Sequence, residues 1–117
     1  MTQYEELFNA CKNGDLETVK DLHRKGINIH AKKDWPFQLA CMYGHLDIVK
    51  FLYEKGADVH AREDYAFQLA CKKGKLDVAK FLYEKGADIH ADNDLAFQLA
   101  NEYDQTEVIE FLKLKTN

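Results

Sequence analysis

Cys11, Cys41 and Cys71 recur thirty residues apart, and His30, His60 and His90 do the same, so the chain carries two ladders of side chains that could act as nucleophiles or metal ligands. A catalytic thiolate needs a base beside it, and no recognised motif places one next to any of the three cysteines. Neighbouring stacked helices lie roughly 8–10 Å apart, whereas a disulfide needs Cα atoms within about 7 Å, so the cysteines are not expected to pair. They read as small buried hydrophobes, and unpaired thiols fit a reducing compartment. Zinc requires its nitrogen ligands about 2.0–2.1 Å from one ion, which histidines spaced by a whole repeat are poorly placed to supply. Cys41 and His45 stand four apart, a spacing that puts two ligands on one helix face, but Gly44 interrupts the helix between them and Lys75 replaces the histidine in the next unit. No metal and no cofactor is expected.

The cysteine ladder is expected on helices, and the histidine ladder in the loops between them. Asp34 and Asp64 are expected to cap a first helix, with Pro36 in its first turn where a missing N–H costs nothing. Gly44 and Gly74 end it, and the apolar-periodic stretch Leu46, Ile48, Val49, Phe51, Leu52 predicts a second helix running to Gly56. Ala57–Ala61 is too short for a helix and reads as an extended or turn connector.

This pattern repeats. Residues 34–63 realign on 64–93 with differences at ten of thirty positions, and the same frame extends back to Leu7 and forward through Phe97–Ala100 and Phe111-Leu112. Units of about 1–33, 34–63, 64–93 and 94–117 therefore make one expected all-α domain, a solenoid of four helix-turn-helix units. Gly44–Ala61 and Gly74–Ala91 follow G-x-L-D-[IV]-x-K-F-L-Y-E-K-G-A-D-[VI]-H-A, and Ala40–Gly44 reads A-C-x-x-G. These strings resemble the ankyrin repeat family, in a compact 30-residue form similar to repeats in ankyrin proteins of giant DNA viruses, which points to a viral or parasite source.

The usual T-P-L-H-x-A-A opening is replaced by Trp35–Cys41 and Tyr65–Cys71, so the Thr and His that brace the usual turn are missing. Against the family's usual repeat of roughly 33 residues, the shortfall lies in the hairpin loop, implying a tight turn. The resemblance implies that His30, His60 and His90 take the place of a loop Asn and hydrogen-bond backbone in their own turn. In other members that position can be hydroxylated.

Terminal repeats need polar outer faces. Thr2-Gln3-Tyr4-Glu5 forms a capping box and Asn9 stands where Leu39, Leu69 and Leu99 recur. Asn101, Thr106 and Lys113 replace repeated apolar residues in the last unit, so the module is expected to be complete.

The chain is 117 residues, 46% hydrophobic, with a net charge of -4. Twenty acidic against sixteen basic residues argue against duplex nucleic acid as the main partner, and no apolar run is long enough to span a bilayer. The expectation is a cytoplasmic, intracellular monomer that binds a protein partner, with no nucleic acid and no membrane.

Positions that vary between units are free for recognition. They are Lys32, Arg62 and Asp92; Lys33, Glu63 and Asn93; Trp35, Tyr65 and Leu95; Met42, Lys72 and Glu102; Tyr43, Lys73 and Tyr103; His45, Lys75 and Gln105. The resemblance puts them on the concave face. Trp35, Met42, Tyr43, Arg62, Tyr65, Lys72, Lys73 and Tyr103 are the candidate partner-binding residues, because aromatic, Met and Arg side chains dominate interface cores. Trp35 and Tyr65 have a second reading, as packing against the next repeat. The expected function is a non-enzymatic adaptor or inhibitor. The alternatives are an end-to-end self-associating array or a designed scaffold, the latter disfavoured by the three cysteines and irregular ends.

Overall fold

In the computed structural model, which describes residues 1–116, eight helices follow one another: α1 Gln3–Asn13, α2 Leu16–Arg24, α3 Ala31–Tyr43, α4 Leu46–Glu54, α5 Ala61–Lys72, α6 Leu76–Glu84, α7 Ala91–Glu102 and α8 Thr106–Thr116. Asn117, the end of the fourth sequence unit, lies outside the described residues. Consecutive helices pair as hairpins. The first helices, α1, α3, α5 and α7, stack closely into an inner row, and α2, α4, α6 and α8 form a looser outer row. The stack measures 45 × 21 × 18 Å.

Local chemistry explains the hairpins. Thr2 and Glu5 form the reciprocal capping box that starts α1. In α4, Ile48, Val49 and Leu52 are buried at helical spacing, and α6 repeats this with Val78, Ala79 and Leu82. Gly44, at φ +77, ends α3 in the left-handed conformation that a side chain resists. It also leaves room for a neighbour: a Cβ there would meet Lys75 Cδ at 2.6 Å.

One core runs the length of the stack. Leu7, Phe37, Phe67, Leu52, Leu82 and Leu112 are its large members, with Cys11, Cys41 and Cys71 between them. Each such Leu or Phe stabilises the fold by roughly 1.5–3 kcal/mol relative to exposure.

The start of each first helix differs from expectation. Lys32, Lys33 and Asp34 have φ of 55, 55 and 62, so the right-handed helix begins at Trp35 after a left-handed turn. The turn recurs at Arg62-Glu63-Asp64 and Asp92-Asn93-Asp94. Asp34 and Asp64 therefore do not cap the helices they precede. The left-handed backbone turns their carboxylates away from the helix's free N–H groups and toward the loops.

Candidate partner-binding surface

The loops are joined by a ladder of carboxylates and imidazoles. Asp34 Oδ1 meets His30 Nδ1 at 2.6 Å, while its Oδ2 accepts the Asp58 N–H of the next loop at 3.0 Å. Asp64 makes the same two contacts through Oδ1 alone, with His60 Nδ1 at 2.8 Å and the Asp88 N–H at 3.2 Å. Asp94 meets His90 Nδ1 at 2.5 Å, and its side chain is 57% exposed against 11% for Asp34 and 8% for Asp64. The histidines thus bond a carboxylate, not the backbone of their own turn as expected. His30 Nε2 also lies 2.9 Å from Lys55 O, one loop further on. Buried carboxylates attract the ring N–H more strongly than a carbonyl does.

The bracing role left open by the missing Thr and His falls to glutamine. Gln38 Nε2 donates to Lys33 O at 2.9 Å, Gln68 to Glu63 O at 3.1 Å and Gln98 to Asn93 O at 2.7 Å, each tying a left-handed turn to its helix. The repeated F-Q-L-A string carried this signal, but nothing in spacing alone assigns the Gln a partner.

The three cysteines are buried and unpaired. Burial pushes the Cys11 and Cys71 thiols up to about 12 and raises Cys41 well above its ordinary value. Cys41 and His45 diverge: His45 Nε2 lies 2.8 Å from Lys12 O and its ring sits over Gly14. Gln105 Nε2 likewise donates to Lys72 O at 2.8 Å, and Lys75 covers Gly44. The position occupied by His45, Lys75 and Gln105 is thereby corrected from recognition to stacking, since each side chain closes the helix end of the preceding unit. Among the described residues no three His, Cys, Asp or Glu side chains converge as a metal site.

The remaining variable positions divide by exposure. Tyr43 and Tyr103 are 38% and 47% exposed, among the largest apolar groups in solvent. Lys73 and Arg62 are exposed, whereas Trp35, Met42, Tyr65 and Lys72 are half-buried. Trp35 and Met42 pack against the core, so both readings of Trp35 meet in one side chain. Arg62 lies 5.9 Å from the Trp35 ring and Lys72 5.0 Å from that of Tyr103. Lys12, 5.7 Å from the Tyr43 ring, completes the same pattern. Sequence reasoning passed over Lys12, although it occupies the place of Met42, Lys72 and Glu102 in its unit.

The outer row is held by a second ladder. His23–Phe51, Tyr53–Phe81 and Tyr83–Phe111 meet edge to face at 5.6–5.7 Å, a favoured aromatic geometry. Lys85 and Lys115 each lie over one such pair.

A family model for ankyrin repeats, three copies, matches residues 7–93, and the chain belongs to that family. No curated protein matches it. Ankyrin repeats are non-catalytic modules of protein–protein interaction. No helix among the described residues is long and apolar enough to cross a membrane.

Proposed function

We propose that the chain is an adaptor or inhibitor that holds one protein partner against its inner surface, through Tyr43, Tyr103, Lys72, Lys73, Arg62, Trp35, Met42 and Tyr65. The observation that carries this reading is the solvent exposure of Tyr43 and Tyr103 at the ends of stacked inner helices. Aromatic groups held rigidly in solvent supply contact area at low entropic cost. Three reduced, buried thiols support a cytoplasmic setting. The test is affinity capture with the wild type and a Tyr43→Ala, Tyr103→Ala variant. Loss of the captured partner from the variant supports the reading; equal recovery removes it.

A second reading is end-to-end self-association. It is favoured by the open end of the stack, where Ile89, His90, Asp94, Phe97, Leu112 and Thr116 line a recess of about 270 Å³. Light scattering over a concentration series separates the two, because a strict monomer at high concentration excludes the array.

A further inference from the structure

Six cations lie along the inner helices and their loops in the first three units: Lys12, Lys32, Lys33, Arg62, Lys72 and Lys73. Glu63 is the acidic residue at an equivalent position in these units; Glu5 and Glu6 stand in the first turn of α1, and Asp34 and Asp64 are engaged by the loop histidines, in a chain whose net charge is -4. Among the described residues none of the six is in an ion pair; Arg24, Lys25 and the loop histidines make all those present. The fourth unit reverses the sign, with Asp92, Glu102 and Asp104.

Helix electrostatics accounts for half of this set. Lys12, Lys72 and Lys73 stand at helix C-termini, where the macrodipole favours positive charge. Lys32, Lys33 and Arg62 stand just before the right-handed helices that start at Trp35 and Tyr65, where it disfavours positive charge. They also hold φ of 55, 55 and 53, a conformation that Asn and Asp tolerate far better than Lys or Arg. The fourth unit has the locally favoured pair, Asp92-Asn93, in the same turn. Two independent local preferences are thus violated at the same three residues, as happens where function sets the residue.

Resting on the inner-surface reading above, we infer that units one to three bind an acidic peptide segment of the partner. The cations of the loops and helix ends supply charge-assisted hydrogen bonds to its carboxylates. The Lys12 and Lys72 ammoniums lie 5.7 and 5.0 Å from the ring centroids of Tyr43 and Tyr103, the latter at the edge of unit four, so each cation is held beside an aromatic face. An extended segment of about 13 residues crosses the whole 45 Å stack, which sets the upper limit on the length that units one to three engage.

The test uses fluorescence anisotropy with a labelled peptide of alternating Glu and Gly, about 13 residues long, its Gln–Gly counterpart and an oligothymidylate. The full chain should bind the Glu peptide at least about tenfold more tightly than the Gln peptide, with affinity falling as salt rises. A triple variant Lys32→Asn, Lys33→Asn, Arg62→Asn should lose that binding while its thermal stability rises, because the substitutions relieve the turn. A Lys50→Glu, Lys80→Glu variant on the outer row should bind as the wild type. Equal affinity for the Glu and Gln peptides, equal losses from inner and outer variants, or tighter binding of the oligothymidylate would each overturn the proposal. If the acidic peptide fails while the Tyr43→Ala, Tyr103→Ala variant still loses its captured partner, the surface stands and the acidic chemistry falls.

Discussion

A carboxylate that joins two loops is worth more than one that joins a loop to itself. Asp64 is buried and accepts from both His60 and the Asp88 N–H. Asp64→Ala leaves those donors unpaired and should cost about 1–3 kcal/mol in urea unfolding. Asp94, exposed and bonded to His90 alone, should cost at most about 0.5 kcal/mol on the same change; equal losses would mean that the ladder does not couple the units. The thiols give a second measure at this scale. With Cys11 and Cys71 raised from 9.0 to about 12 by burial, the folded state favours the neutral form. Their contribution is complete below pH 9.0 and is lost as pH rises toward about 12. Iodoacetamide at about pH 8 should label none of the three cysteines in the folded chain and all three in denaturant. Labelling of the native protein would contradict their burial.

At the scale of elements, the left-handed turn is the feature with the clearest energetic signature. Glu63 has φ 57, a conformation that Asn, which stands at the same place as Asn93 in the next unit, tolerates far better. Glu63→Gly should raise stability by roughly 1 kcal/mol, and Asn93→Gly should change it little. A loss at Glu63 would show that the turn is held by its side chain. Helix pairs and their ends were readable from sequence, because Gly44 and Gly56 bound apolar stripes of helical period. The turn was not, since Asp34 before a helix has the pattern of an N-cap and only tertiary contacts with His30 and Asp58 redirect it. His45, Lys75 and Gln105 misled for a related reason. Three unlike side chains perform one stacking task by covering a glycine, so variation there carried no information about binding.

For the whole molecule, stability is expected to decline toward the end where the ladder stops. Phe97 and Leu99 are half-buried there, whereas Phe67 and Leu69 are buried one unit earlier. Amides of α7 should therefore exchange with deuterium faster than those of α5, and the reverse order would contradict a stack stabilised by nearest neighbours. Hydrogen–deuterium exchange of the chain alone and in complex with its captured partner shows whether the inner surface meets that partner. Slowed exchange should concentrate in residues 32–35, 62–65 and the last turns of α3, α5 and α7. Protection confined to the outer helices α2, α4, α6 and α8 would contradict it.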